Sequence, residues 1–180
     1  MRRILSFILE TAKIVVIALI IVAPIRYFIF QPFFVKGQSM EPNFENNDYL
    51  IVDELSYRLK SPQRGEVVVF RYPNDTSQRF IKRIIGLPGE TIEIDNGVVI
   101  ILNDGGREVL NESEYLSNTQ TPGNLKISLD ENEYFVLGDN RFASFDSRRW
   151  GLLPKGDIIG KVAIRSWPLA AISGFEVPTY

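Results

Sequence analysis

Glu66-Val67-Val68-Val69-Phe70-Arg71-Tyr72 and Arg79-Phe80-Ile81-Lys82-Arg83-Ile84-Ile85, separated by the turn formers Pro73-Asn74-Asp75, decide the architecture. Both runs are rich in β-branched and aromatic residues, and each is bounded by turn chemistry: Pro62-Gln63-Arg64-Gly65 before the first, Gly86-Leu87-Pro88-Gly89 after the second. The same reading extends outward. Tyr49 to Val52 is a strand. Thr91 to Ile94 and Val98 to Leu102 flank Asp95-Asn96-Gly97, a hairpin signal. Glu133 to Leu137 and Ile158 to Trp167 complete the set, and Pro168 to Tyr180 reads as an irregular tail. No alternation of strands with helices occurs. The expected class is mainly β, with antiparallel sheets folded into a partly open, barrel-like core. Asn103 to Asp130 is polar and turn-rich, so residues 103–132 are expected as a small variable lobe. Residues 31–102 and 133–180 would form the core.

The N-terminal 30 residues differ in kind. Met1-Arg2-Arg3 is basic, Glu10 and Lys13 interrupt an apolar start, and Ile14 to Ile25 is uninterrupted apolar sequence. A bilayer core takes about 20 helical residues. A transmembrane helix from about Ala12 to Phe30 fits, with Arg2, Arg3 and Lys13 keeping the N-terminus in the cytoplasm. The competing readings are a cleaved signal peptide, for which Ala23 followed by Pro24 is a poor cut site, and a buried soluble helix. Tyr27, Phe28, Phe30, Phe33 and Phe34 suit a membrane interface.

Composition narrows the chemistry. The 180 residues carry a net charge of −2, with no basic excess to draw nucleic acid. Histidine and cysteine are absent. That removes histidine-based triads and dyads, disulfides and nearly all zinc or copper sites, so neither metal nor cofactor is expected. A nucleophile would need a carboxylate, lysine or amine as its base.

Gly37-Gln38-Ser39-Met40-Glu41-Pro42 supplies a candidate nucleophile: small neighbours leave the Ser39 hydroxyl accessible. A serine in such a turn is more often structural. Lys82 strengthens the case. In a strand, Phe80, Lys82 and Ile84 share one face, so the lysine is either an edge charge reaching water or a buried amine. Burial would lower its pKa toward neutrality, and a neutral amine can take a serine proton. A third stretch, Gly138 to Gly151, is dense in turn formers and paired charges, and by itself reads as a hydrogen-bonded surface loop.

Together these stretches resemble the type I signal peptidase family. The matching blocks are Gly37 to Pro42, Arg64 to Phe70, Phe80 to Glu90 and Gly138 to Gly151, in the family's order and after an N-terminal anchor. The resemblance covers the chain from the anchor to about Trp167. It implies a Ser/Lys endopeptidase that removes signal peptides from exported preproteins at the outer face of a plasma or thylakoid membrane. Ser39 matches the nucleophile, Lys82 the general base, and Ser144 a hydroxyl that orients the amine. Asp139, Asp146 and Arg148 match residues that hold the Ser144 loop. Phe33, Val35, Met40, Phe44, Phe80 and Ile81 match the pocket for small side chains. Some members carry a serine at the position of Gly37 as an oxyanion donor, so here the second donor is unassigned. Two other readings remain at this level: a self-cleaving repressor with Ser/Lys chemistry, and a catalytically silent, membrane-tethered peptide-binding module.

Overall fold

The computed structural model describes residues 2–28, 30–116, 118, 120–167, 173–174 and 177–178. Side chains of residues 2, 5, 21–28, 30–31 and 173–174 are outside this description. Helix α1 (Arg2–Phe28) leads into strand β1 (Phe30–Phe34). Strand β2 (Tyr49–Asp53) and the short helix α2 (Ser56–Leu59) follow, then β3 (Val67–Tyr72) and β4 (Asp75–Gly86). Next come β5 (Thr91–Asp95), β6 (Val98–Asn103), β7 (Gly106–Val109), β8 (Leu125–Ser128) and β9 (Glu133–Leu137). Helix α3 (Ser147–Trp150), β10 (Leu153–Pro154), β11 (Ile158–Trp167) and β12 (Ser173–Gly174) complete the chain.

The described strands form two antiparallel sheets, as the mainly β expectation requires. The larger runs β1-β2-β11-β3-β4-β9-β10, with β12 paired to β11; the smaller runs β7-β6-β5-β8. The larger path ends at β1 and β10, so no closed barrel forms. The hairpin at Asp95-Asn96-Gly97 is present, with Asn96 at φ 48° and Gly97 at φ 84°, the left-handed pair that a tight two-residue turn requires. β5 and β6, which the sequence reading kept with the core, pair with β7 and β8 in the smaller sheet.

β3 at Val67 to Phe70 and β4 from Ile81 onward are buried on both faces, which explains the unbroken apolar run at Val67 to Phe70. One face packs Val67, Val69 and Ile81 with Val35, Met40, Phe44 and Leu50. The other packs Val68, Phe70 and Ile84 with Tyr134, Val136 and Leu153. Register places Val68 opposite Lys82 and Phe70 opposite Phe80. β4 starts at Asp75 rather than Arg79, because Pro73-Asn74 turns the chain tightly enough for Tyr72 to face Asp75. Its first five residues are exposed, which is why their polar sequence concealed the strand.

The sequence reading gave β1 no strand. Pro32 lies within it, and β1 occupies the sheet edge, where a missing N–H costs no ladder bond on the open side. Among the described residues no helix is long and apolar enough to cross a membrane. The expected span from Ala12 to Phe30 falls in part on residues 21–30, whose side chains lie outside the described set. Every described side chain of α1, apolar ones included, is exposed.

Candidate active site

Lys82 lies on β4 between neighbours that exclude water. Val68 faces it across the ladder with no exposed surface, and the Phe80 ring centroid is 5.8 Å from its amine. The lysine itself is 4 % exposed. Burial lowers its pKa from 10.5 to about 8, against an opposing pull from the Asp146 and Asp139 carboxylates. Its Nζ is 2.8 Å from the Ile81 carbonyl oxygen, to which it donates, and 2.7 Å from Ser39 Oγ. When neutral, the amine can accept the Ser39 proton along that second contact. The two residues are 43 positions apart in the chain and arrive from a turn and a strand.

The Ser39 turn is held from both sides. Gly37, at φ 88°, donates its N–H to Asn46 Oδ1 at 2.9 Å. That commits the Gly37 amide to Asn46. On the other side, Asn140 donates its backbone N–H to the Ser39 carbonyl at 3.1 Å and its side-chain amide to the Gln38 carbonyl at 3.1 Å. Sequence reasoning missed Asn140. Its one available signal was its place between Asp139 and Arg141 in a loop of paired charges.

The loop after β9 carries the expected supporting residues. Asp139 takes two bonds from Arg83, at 2.8 and 2.7 Å, and one from Asn43 at 2.8 Å. Asp146 is fully buried and caps α3. Burial would raise its carboxyl, but the paired Arg148 guanidinium and the Gly138 N–H hold it below the usual range. Ser144 is buried against Gly138. Its hydroxyl makes no hydrogen bond of ordinary geometry with the Lys82 amine, although it lies close enough to Asp146 to favour that charge. The amine's bond to the Ile81 carbonyl is its second contact beside Ser39.

Beside the Ser39–Lys82 pair is a cleft of about 510 Å³. Its apolar walls are Phe33, Phe34, Phe80, Ile81, Ala143 and Phe145, and Lys36, Ser77 and Arg79 stand at its polar margin. Of the six residues expected to line a pocket, Phe33, Phe80 and Ile81 do so. Val35, Met40 and Phe44 do not reach it; they are buried behind the cleft, in the cluster that supports its wall. Phe34 and Phe145 were missed because their wall positions depend on long-range folding.

The described residues therefore bring together the Ser39 hydroxyl, a buried amine whose pKa is lowered to about 8, and a cleft with apolar walls. The family described as signal peptidase, peptidase S26, matches residues 8–167. The chain belongs to that family. Among similar proteins is a probable signal peptidase I-2 of Synechocystis, 36% identical over 170 residues, covering 91% of this chain and 75% of its relative. Signal peptidase I of Leptolyngbya laminosa is 35% identical over 186 residues, covering 96% and 86%. Signal peptidase I P of Bacillus subtilis subsp. natto is 36% identical over 181 residues, covering 95% of each. In this member of the signal peptidase family the supporting loop and the cleft are built from residues that few local signals reveal.

Phe80 offers a direct test of whether this cleft sets substrate preference. Its ring stacks on Tyr72 at 4.9 Å and meets Phe145 edge-on at 6.5 Å. Phe80→Ala is expected to widen the pocket and to admit water to Lys82. Cleavage of substrates with larger residues before the cut should rise relative to alanine, and the pH midpoint of activity should move upward. A folded Phe80→Ala enzyme with unchanged preference would remove Phe80 from the pocket.

Proposed function

We propose that this signal peptidase cuts signal peptides from exported preproteins by a Ser39/Lys82 dyad. The observation that carries the reading is the 2.7 Å contact between Ser39 Oγ and an amine whose burial brings its pKa to about 8. Neutral Lys82 takes the Ser39 proton as the hydroxyl oxygen attacks the scissile carbonyl. The Ser39 N–H stabilises the oxyanion. Protonated Lys82 then gives its proton to the leaving amine, and water, activated by the same lysine, releases the acyl group.

Substrate lies extended along β4. From Arg83 the strand pairs with β9, but among the described strands residues 79–82 pair with β3 alone, which leaves their other edge for main-chain bonds to substrate. Apolar walls at Phe33, Phe80 and Ile81 favour small side chains. The test is incubation of the purified full chain with one preprotein, followed by N-terminal sequencing of the product. Cleavage after small residues, lost in Ser39→Ala, is the expected result; cleavage that survives Ser39→Ala overturns the dyad.

The enzyme works at a lipid surface, with α1 as its anchor and the β body on the extracytoplasmic side. The basic Met1-Arg2-Arg3 end and the exposed apolar side chains of α1, such as Ile14 and Ile20, support this placement. Protease added to spheroplasts should digest the body. Full protection of everything after Phe30 would refute this topology.

A further inference from the structure

Glu112 lies in the segment expected to be a variable excursion, yet it and its partner are among the most deeply buried charges of the described chain. Its side chain and that of Arg141 are 2 % and 1 % exposed. The pair is bidentate: Arg141 Nη1 donates to Glu112 Oε2 at 2.6 Å, and Nη2 to Oε1 at 2.5 Å. Thr121 Oγ1, from the same segment, accepts a further bond from Nη1. Another guanidinium donor, Nε, reaches the Gly138 carbonyl at 3.0 Å.

Gly138 packs tightly between the Ser39 turn and Ser144. A side chain there would overlap Ser144 Oγ and the Ser39 carbonyl oxygen. The lobe makes a second hold two residues away from Arg141. Tyr115 donates its hydroxyl to Glu112 Oε1 at 2.6 Å and lays its ring 4.1 Å from the Arg83 guanidinium, which itself grips Asp139. Asn43 bonds both the Tyr115 carbonyl and Asp139.

We infer that Glu112 is a positioning residue: acting through Arg141, it fixes the Gly138 carbonyl and so sets the loop that packs against Ser39 and carries Ser144. This rests on the Ser39/Lys82 reading. The physical reason is directional. A buried ion pair adds little net stability over an apolar pair of similar volume, but its five fixed donors specify one geometry. Replacing it should therefore separate stability from turnover.

The experiment uses the full chain in detergent, with one preprotein, kcat and KM measured separately, and a thermal melt for each variant. Ser39→Ala is the control for the underlying reading: if it still cleaves, the dyad fails whatever Glu112 does. Glu112→Gln should lower kcat about 10-fold or more and leave KM within about 2-fold, and Glu112→Asp should recover part of the loss. The double variant Glu112→Met/Arg141→Met keeps the buried volume and removes both charges. It should melt at or near the parental temperature with kcat still reduced. Should Glu112→Gln fail to fold, the double variant and Thr121→Val decide, the latter with a loss of about 3-fold in kcat. Parental kcat in the folded double variant, or a lowered melting temperature with kcat unchanged in Glu112→Gln, would overturn the inference and leave the pair a purely structural one.

Discussion

Lys82→Met folds as the parent does and cleaves preprotein about 10³-fold more slowly: that is the expected result on which the mechanism turns, within the range a general base contributes. Methionine keeps the stem between Val68 and Phe80 and removes only the amine. Lys82→Arg fails too, because a guanidinium stays protonated. In the parent, the dyad reading expects only the neutral amine to be active. With a pKa of about 8, kcat/KM should climb about tenfold per unit below that pH and level off above it. Stability follows the same group with a definite sign. Below pH 8 the lysine is charged in both the folded and unfolded chain, and the folded state carries the full cost of burying it. Between about 8 and 10.5 the unfolded chain binds more protons, so Lys82's contribution makes stability rise with pH. The cost below pH 8 is about 3 kcal/mol. Lys82→Met should therefore melt higher than the parent at pH 7, with the gap closing above pH 10.5. Near-parental turnover by folded Lys82→Met would end the dyad reading.

Gly138→Ala should lose about 10²-fold in kcat, because small displacements of reacting groups cost that much. The added carbon would lie 2.6 Å from Ser144 Cβ and overlap the Ser39 carbonyl oxygen, which the Asn140 amide holds in place. Neither neighbour is the free end of a flexible side chain. The turn bearing the nucleophile or the loop bearing Ser144 has to move. Pre-steady-state acylation separates this from a binding defect: the burst rate should fall while KM changes little. An unchanged burst rate would show that the loop yields elsewhere.

The features legible in the sequence are those written locally. The β3–β4 ladder announces itself through β-branched runs and a Pro-Asn turn, and the β5–β6 hairpin through Asp-Asn-Gly. Ser39 and Lys82 stand out because the chain has no histidine to compete for the role. What was hidden depends on distant partners. β1 looked like interfacial aromatics, and its strand shows only through its pairing with β2 at the sheet edge. Val35, Met40 and Phe44 have the right chemistry for a pocket, but they pack behind its wall. Asn140 and Glu112 are polar residues in polar stretches, and only folding shows that one holds the Ser39 turn and the other a buried guanidinium.

The position of β11 has a consequence for when the enzyme becomes dangerous to its surroundings. It is the last long strand, yet it lies between β2 and β3, pairing Val52 with Val162 and Val68 with Lys161. A growing chain that has already made Ser39, Lys82 and Ser144 still has a gap through the middle of its main sheet. Long-range pairings of this kind form late, because the loop they close must first be complete. Nascent or prematurely terminated chains lacking β11 would thus carry Ser39, Lys82 and Ser144 without the strand that joins β2 to β3. In such chains the proposed Ser39/Lys82 chemistry would not assemble, with no separate inhibitor required.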